Sequence, residues 1–378
     1  MSRKLRVAFV GCGGIADHYL SVYRDLKWAE VVTFVDARLE HAARARKSVG
    51  TESRVTSDFT DALGDDVDVV IINTPNHLHL EQAVAALEAG KHLLLQKPVA
   101  SNLADAESIA DAAERARRRG IMSGLYLSYF DQPLIHDLRD LVLAGWFGQV
   151  AHLYARLMHR GGLILSRDIR DGQSNWRASL AQTGGGCFIQ LAVHGIHLFA
   201  WLMDASVVRV TGFARNRHSP GVEGEDLACA LLEFENGVLA TLDMAWCTSG
   251  EMLSVQGTHG TADYINNQML LLDSDNGAFV GRVINYSGSS HSPGEIAAPA
   301  RQQAMTIHPP SLGDVKNPHN QQRLFLEAVR DGHAPPVSIA SGVADMRVVA
   351  AVYESARTGR TVAINREGTT SQGERGRG

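Results

Sequence analysis

The sequence predicts an α/β fold class, with an N-terminal doubly wound parallel sheet and a C-terminal α+β domain whose open sheet is mainly antiparallel. Two observations predict this arrangement. The first 125 residues alternate short apolar runs with helical patterns, and the residues after about 148 form strand-like runs separated by turn dipeptides. The length of 378 residues is sufficient for two domains of ordinary size.

Four apolar runs in the first part predict parallel strands: LRVAFVG, VVTFVDA, VDVVIINTP and KHLLLQKP. Their nearly continuous apolar character is typical of strands that are covered on both faces of a sheet. A helix is expected after each strand, and these helices run from about Asp17, from about Glu40, from His79 to Gly90 and from Leu103 to Gly120.

The second part predicts strands joined by hairpins: VAHLYARLMHR, VVRVTGFARN, LACALLEFENGVLATLDMAW and MLSVQGTHGTADY. The apolar stretch CFIQLAVHGIHLFAWLMD, which follows three glycines, predicts a helix instead. Two amphipathic helices are expected in NQQRLFLEAVRDG and ADMRVVAAVYESARTG. The polar, glycine-rich residues 366–378 predict a disordered tail.

The composition excludes several classes of partner. A net charge of -5 and a pI of about 6.3 argue against nucleic acid and against anionic membrane surfaces. We expect no apolar run to reach the length that spans a bilayer, and the N-terminus lacks the apolar region of a secretory signal. The four cysteines are too scattered for a disulfide framework or a zinc site. A cytoplasmic protein without a metal ion is therefore expected.

The loop after the first predicted strand matches the pattern G-x-G-x-x-A and opens a helix. Gly11 allows a tight turn, Gly13 lets the backbone approach a pyrophosphate, and Ala16 keeps the helix close to the sheet. The second strand ends in Asp36, where a carboxylate binds the ribose hydroxyls of NAD and repels the additional phosphate of NADP. Arg38 keeps NADP possible. The expected cofactor contacts in this region are Gly11, Gly13, Gly14, Ile15, Ala16, Asp36 and Arg38.

The next two strands also end in polar residues, at the edge where ligands bind in such sheets. The third strand ends in the cluster Asn73 to His79, in which we expect Thr74, Asn76 and His79 to contact the cofactor, although an ordinary capped turn is the alternative. The fourth ends in Gln96-Lys97-Pro98. Proline holds the preceding residue extended, which is a good way to direct the Lys97 amine, whereas a strand end that merely becomes polar is the alternative.

With the glycine loop, TPNHLH and Lys97-Pro98 in this order, the chain resembles the Gfo/Idh/MocA family of oxidoreductases over about residues 5–362, including WRASLAQTGGG and ESARTG. The resemblance implies a Rossmann dinucleotide-binding domain at 1–125 and a domain at 126–365 that binds substrate and mediates oligomerisation. It implies oxidation or reduction of a secondary alcohol on a sugar or cyclitol with NAD(P). Lys97 and His194 match the catalytic lysine and histidine of the family, and we expect Gln96, Lys97, Trp176 and Arg177 to contact the cofactor.

The chain departs from the family pattern at several carboxylates. The family usually has Glu before the Lys-Pro pair, where this chain has Gln96, and Asp, Gly, His and Asp on the following helix, where it has Gln190, Ala192, His194 and His197. Fewer anions would help to lower the pKa of Lys97 toward that of a base. His194 is expected to orient the substrate hydroxyl and His197 to bind sugar oxygens. Two histidines packed in a helix core are the alternative.

An arginine-rich segment, HRGGLILSRDIRDGQSNWRAS, indicates an anionic substituent on the substrate. We expect Arg167 and Arg170 to bind it, with a solvated, salt-bridged loop as the alternative, and His159 and Tyr129 to line the same cleft. The expected substrate-binding residues are Lys97, Tyr129, His159, Arg167, Arg170, Gln190, His194 and His197.

Three functions are compatible with these residues. The first is an NAD-dependent dehydrogenase that acts on a secondary hydroxyl of a sugar, sugar acid or cyclitol. The second is a redox-neutral glycosidase or oxidoisomerase, which oxidises a sugar carbon transiently, eliminates a substituent and reduces the carbon again. The third, a non-catalytic NAD-binding sensor, is disfavoured because Lys97 is present. A homo-oligomer, dimer or tetramer, is expected because an open apolar sheet face needs covering.

Overall fold

The computed structural model describes residues 3–265, 268–275, 278–284 and 317–364. Within them, the six strands of the first sheet have the order β3-β2-β1-β4-β5-β6, and all neighbouring pairs are parallel. The strands are β1 Leu5–Val10, β2 Ala29–Val35, β3 Arg54–Thr56, β4 Val69–Ile72, β5 His92–Gln96 and β6 Ser123–Tyr126. The order reverses between β1 and β4, so a crevice opens at their carboxyl ends. The predicted doubly wound sheet is confirmed.

The helices on this sheet are α1 Gly14–Tyr19, α2 Leu39–Val49, α3 His79–Glu88 and α4 Leu103–Arg117. Helix α1 begins earlier than the sequence suggested, directly after the glycine loop, and changes after six residues into a 3-10 turn at Leu20–Arg24. The Asn102 side chain caps α4 by accepting a hydrogen bond from the backbone N–H of Asp105 at 2.9 Å.

The second sheet has nine described strands in the order β14-β13-β12-β11-β7-β10-β9-β8-β15. It is antiparallel except for the pair of β7 and β10, which is parallel. The strands are β7 Val150–Met158, β8 Val207–Arg215, β9 Leu227–Phe234, β10 Leu239–Ala245, β11 Gly250–Gly257, β12 Gly260–Ile265, β13 Gln268–Asp275, β14 Ala278–Ile284 and β15 Val362–Ala363. Exposed Phe213 and Leu231 lie on β8 and β9, and whether they contact another subunit stays a prediction.

The remaining helices connect and cover the two sheets. They are α5 Pro133–Leu143, α6 Gly161–Arg170, α7 Leu180–Thr183, α8 Cys187–Met203, α9 Gln321–Asp331 and α10 Ile339–Thr358. Helix α6 occupies part of the arginine-rich segment. The predicted tail, residues 366–378, lies outside the described residues.

Helix α8 is the core helix of the second domain. The stretch Leu180–Met203, with a mean hydropathy of 1.5, is long and apolar enough to cross a membrane, so the expectation that no run has this length was wrong. However, 78% of its apolar window is buried inside the protein. The stretch is apolar because the sheet and α10 pack against α8.

The segment before α10 joins the second part of the chain to the first sheet. The backbone N–H of Leu125 donates to the Val337 carbonyl at 3.0 Å. At Gly342 a Cβ atom would lie 2.5 Å from a Leu125 methyl carbon and 2.6 Å from one of Val99, so α10 approaches the first sheet closely. These contacts place α8 opposite the carboxyl edge of the parallel sheet.

Candidate active site

A cavity of about 200 Å³ lies between the carboxyl edge of the parallel sheet and α8. One wall comes from the first domain and the other from the segment around Trp176 and from α8. The lining residues are Ile15, Tyr19, Asn73, Thr74, Asn76, Gln96, Lys97, Ser128, Trp176, Arg177, Gln190 and His194.

The glycine loop forms one end of this region. Gly11 has φ +85°, and a Cβ atom there would lie 2.6 Å from the carbonyl carbon of Asn73, so only glycine fits. Cβ atoms at Gly13 and Gly14 would meet nothing within 4 Å, which leaves the surface above the loop open. Ala16 is fully buried and lets the helix pack on the sheet.

Asp36 is held in a fixed orientation beside the glycine loop. Its carboxylate accepts hydrogen bonds from the backbone N–H of Cys12 at 2.7 Å and of Arg38 at 2.9 Å, and His41 Nδ1 lies 3.6 Å from it. The Arg38 side chain is exposed. A carboxylate in this place is suited to accept hydrogen bonds from ribose hydroxyls.

The end of β4 contributes Asn73, Thr74 and Asn76 to the cavity, but it does not bring His79 there. The His79 ring is fully buried, and its nitrogens lie 3.0 Å from the carbonyl oxygens of Thr74 and Pro98. His79 therefore does not line the cavity, and neither ring nitrogen is free for the direct cofactor contact that the sequence predicted. Instead, this ring fixes the backbone between two strand ends that line the cavity.

Lys97 is half-buried and faces the cavity, with its amine donating a hydrogen bond to the Gln190 carbonyl at 2.7 Å. Burial in protein, assisted by the positive charge of Arg177, lowers the pKa of Lys97 to about 7. Its backbone N–H donates to the Gln96 side-chain oxygen at 3.0 Å. Lys97 is therefore placed and tuned to exchange a proton near neutral pH.

His194 and Gln190 face the same cavity from α8, one turn apart. The Nδ1 atom of His194 and the Nε2 atom of Gln190 are buried without a hydrogen-bond partner in the structure. Burial, with the charge of Lys97 next in importance, lowers the pKa of His194 well below its ordinary value. The ring is therefore neutral at pH 7, and both side chains have hydrogen-bonding capacity left for a ligand.

Tyr129 and His197 lie beside His194 but do not line this cavity. The Tyr129 hydroxyl donates to Glu251 at 2.6 Å, and its ring centroid is 5.1 Å from that of His194. His197 Nδ1 lies 2.7 Å from the Asp345 carboxylate, and both residues are buried. The Nδ1 atom of His197 is therefore not free for the sugar oxygens that the sequence predicted, because it is bonded to α10.

Of the arginine-rich segment, only Trp176 and Arg177 line the cavity. Arg167 and Arg170 lie exposed on α6, and Arg167 pairs with the neighbouring Asp168 at 3.1 Å. Neither side chain lines the cavity, because α6 turns both to solvent. His159 does not line the cavity either, and partial burial, followed by the charges of Lys97 and Arg177, lowers its pKa.

Comparison with protein families identifies the family to which the two parts of the chain belong. A model described as an oxidoreductase family with an NAD-binding Rossmann fold matches residues 5–124, and a model of the GFO/IDH/MocA C-terminal domain matches residues 135–263. The chain belongs to the Gfo/Idh/MocA family. Its N-terminal domain is therefore an NAD-binding Rossmann domain, which confirms the resemblance seen in the sequence.

Several relatives align over most of their length. D-apiose dehydrogenase of Paraburkholderia graminis is 26% identical over 377 residues, which cover 96% of this chain and 90% of the relative. Inositol 2-dehydrogenase 1 of Saccharopolyspora erythraea is 31% identical over 242 residues, covering 64% of this chain and 66% of the relative. The structure of levoglucosan dehydrogenase in complex with NADH has a TM-score of 0.79 at 22% identity and covers 96% of this chain and 100% of its own. The fold is thus that of a known NADH-binding protein.

The residues of this Gfo/Idh/MocA protein fit NAD. The open surface above Gly13 and Gly14 leaves room for a pyrophosphate, and Asp36 is oriented beside the loop. Nδ2 of Asn73, which lines the cavity, is buried without a partner and is available to a ligand. When bound, NAD supplies the hydride acceptor.

Sequence reasoning missed Tyr19, which holds the Gln96 side chain. The Gln96 side-chain amide donates to the Tyr19 hydroxyl at 3.0 Å, and the Tyr19 ring lies 4.5 Å from that of Tyr126. The Tyr126 hydroxyl in turn donates to Asp131, whose pKa burial raises to about 7. The position of Tyr19 one turn after Ile15 was the available signal, because both lie on the face of α1 that follows the glycine loop.

Proposed function

We propose that this protein is an NAD-dependent dehydrogenase that oxidises a secondary hydroxyl of a sugar, sugar acid or cyclitol. The observation that carries the proposal is the Lys97 amine, which faces the cavity with a pKa lowered to about 7. Such an amine is neutral in a large fraction of molecules at neutral pH and can take the hydroxyl proton. The named activities of relatives, on apiose and inositol, support this class of substrate.

The other lining groups orient the substrate. Because the His194 ring is neutral and its Nδ1 has no partner, it can hydrogen-bond the reacting hydroxyl beside Lys97. The Gln190 amide offers a further donor from the preceding turn of α8. These groups hold the hydroxyl near the Lys97 amine, which then receives the proton as the carbonyl forms.

Asp36 supports a preference for NAD over NADP. Its carboxylate is held beside the glycine loop by the N–H of Cys12, and a negative charge that faces the adenosine ribose would repel a ribose phosphate. The exposed Arg38 side chain is two residues further along the chain.

The geometry also favours a second candidate, redox-neutral cleavage or isomerisation. This reaction needs a second base to remove a C–H proton next to the transiently oxidised carbon. The neutral His194 ring, which lines the cavity together with Lys97, would serve as that base. The sugar carbon would then be reduced again, with no net turnover of NAD.

The test is incubation of purified protein and NAD with a panel of neutral sugars, sugar acids, cyclitols and glycosides. Absorbance of NADH and masses of products are recorded together. Formation of NADH in equal amount to a product that lacks two hydrogen atoms is the expected result. A cleaved or isomerised product without NADH identifies the second candidate, and no product with any substrate contradicts both.

A further inference from the structure

A row of buried polar side chains leads from the cavity into the protein. Gln96, which lines the cavity, donates from its side-chain amide to the Tyr19 hydroxyl at 3.0 Å. The Tyr19 ring lies 4.5 Å from that of Tyr126, and the two hydroxyl groups are within hydrogen-bonding reach of each other. The Tyr126 hydroxyl donates to the Asp131 carboxylate. Both tyrosines and Asp131 are at most 3% exposed, so these groups depend on one another for hydrogen bonds.

The backbone of Lys97 sets the direction of this hydrogen-bond chain. Its N–H can only donate, and it donates to the side-chain oxygen of Gln96 at 3.0 Å. The amide nitrogen of Gln96 must therefore face Tyr19. Because the Tyr19 hydroxyl accepts that bond, its own hydrogen is directed to Tyr126, whose hydrogen goes to Asp131. Every bond points the same way, and the chain needs an acceptor at its far end.

The Asp131 carboxylate is this acceptor, and two groups at the start of α9 hold the residue in place. One carboxylate oxygen accepts from the backbone N–H of Gln321 at 2.7 Å, and the main-chain carbonyl accepts from the Asn317 side chain at 2.6 Å. An ionised carboxylate only accepts hydrogen bonds, whereas a protonated one donates. If Asp131 were protonated, donors at the two ends would oppose each other and one buried hydrogen would lose its acceptor. The Gln96 amide therefore requires an ionised Asp131.

The ionisation of Asp131 depends mainly on burial and on this chain. Burial raises its pKa to about 7, and hydrogen bonds from Tyr126 and Gln321 oppose that rise. The titratable or charged side chains on the elements around it are Tyr126 of β6, Tyr19 of α1, His136 and Arg139 of α5, His197 of α8, and His319 and Arg323 at the start of α9. The two tyrosines respond to its charge. The other five bond, pair or stack with other groups.

We propose that Asp131 is a positioning residue of the active site, which as the acceptor end of this chain selects a neutral amide rather than a carboxylate at position 96. With glutamate there, the Tyr19 hydroxyl would donate to the glutamate, and its contact with Tyr126 would have no hydrogen. The glutamine that replaces the family's usual glutamate thus matches a buried carboxylate elsewhere. A neutral neighbour also leaves the pKa of Lys97 low. The role of Lys97 as the base rests on the proposed function.

Reversal of the chain tests this proposal. In the double variant Gln96→Glu with Asp131→Asn, the new amide can donate to Tyr126 while its oxygen keeps the bond from Gln321, and every hydrogen again has an acceptor. Urea unfolding at pH 8 compares the double variant with both single variants and the natural protein. We expect its unfolding equilibrium constant to be at least about tenfold smaller than the two single effects together predict. Additive effects would overturn the proposal.

Repulsion between two carboxylates in Gln96→Glu would also couple the two positions, so the same four proteins are measured in two further backgrounds. Tyr19→Phe interrupts the chain and leaves both charges in place, and the coupling should disappear. Tyr23→Phe is the matched control, because it removes a hydroxyl that is buried without a partner in the adjoining 3-10 turn. The coupling should persist there. Coupling that survives Tyr19→Phe is charge repulsion and overturns the proposal.

The pKa of Lys97 provides a measurement that needs no turnover. The double variant has the net charge of the natural protein, but its carboxylate lies beside Lys97, whose pKa should rise by about one unit or more. The pH dependence of Lys97 acetylation by acetic anhydride, followed by mass spectrometry of peptides, measures this shift. An unchanged pKa contradicts the effect of the neutral amide on Lys97. A raised pKa without NADH formation in the substrate panel means that the proposed dehydrogenase fails while the role of Asp131 stands.

Discussion

Gln190, His194 and His197 follow one another along a single stripe of α8, yet the two ends of that stripe differ. At the cavity, Gln190 Nε2 and His194 Nδ1 are buried without partners, and no lining residue is acidic. One turn later, His197 is bonded to a buried carboxylate on α10 at 2.7 Å. Polar groups buried without partners cost stability, so they are retained for a ligand, whereas the satisfied pair holds two helices together.

Replacement of Lys97 by Met should have the largest effect on this comparison. We expect kcat/KM to fall by about 10² to 10⁴, because the base is lost. The variant should also be more stable below pH 7, on the order of 2 kcal/mol after the partial exposure of Lys97 is allowed for. The pKa of Lys97 is lowered on folding, so burying the ammonium costs stability below about pH 7, and the cost disappears as pH rises toward 10.5.

Lys91→Met is the matched control for that variant. Lys91 is also buried, but its amine donates to the carbonyls of Gly64 at 2.8 Å and Val67 at 3.0 Å, far from the cavity. This replacement should lower stability and leave kcat/KM unchanged. Urea unfolding at pH 6 and pH 9 measures both variants, and a loss of stability in Lys97→Met at pH 6 would contradict the interpretation.

Asp345→Leu tests the satisfied end of the stripe. Breaking a buried pair on one side costs about 3 to 5 kcal/mol of unfolding free energy, because His197 Nδ1 loses its carboxylate partner. The double replacement His197→Phe with Asp345→Leu should recover most of the loss, since it removes both polar groups. Urea unfolding curves provide the measurement, and an unchanged midpoint for the single variant would show that the pair does not stabilise the fold.

The pH dependence of kcat/KM tests the end of the α8 stripe that faces the cavity. The neutral amine of Lys97 takes the proton, so activity should fall about tenfold per pH unit below its pKa of about 7. Arg177→Gln removes a positive neighbour that lowers this pKa, and its acid limb should therefore move to higher pH. Initial rates at low substrate concentration across pH 5.5 to 9 measure the acid limb of the natural protein and that of Arg177→Gln. Superimposable profiles would exclude coupling of the two side chains.

Asp36→Ser extends the comparison to the residues beside the glycine loop that are expected to bind the cofactor. It should have the smallest effect on activity. Removal of the carboxylate takes away both the acceptor for ribose hydroxyls and the repulsion of a phosphate. The ratio of kcat/KM with NADP to that with NAD should rise about tenfold. Thr60→Ser, an exposed change on a turn away from the loop, is the control. An unchanged ratio would mean that Asp36 serves only to hold the N–H of Cys12.

Many residues on the first-domain side of the cavity were predictable because the sequence motifs that indicate them are local. The pattern G-x-G-x-x-A, the end of β2 at Asp36 and the strand that ends at Lys97 each depend on a few consecutive residues. His79 was the exception there. Its place in a polar cluster at a strand end suggested a ligand contact, but its ring is bonded to backbone carbonyls that approach it only in the folded chain.

The sequence by itself determined the two kinds of sheet, the glycine loop and the choice of Lys97 as the candidate base. These features depend on periodicity and on short motifs, which involve only a few consecutive residues. Tertiary structure alone decided which arginine faces the cavity and that His197 meets a carboxylate 148 residues away. It also decided the pKa of Lys97. Such properties depend on burial and on the charges brought near by folding, and neither is encoded in the spacing of neighbouring residues.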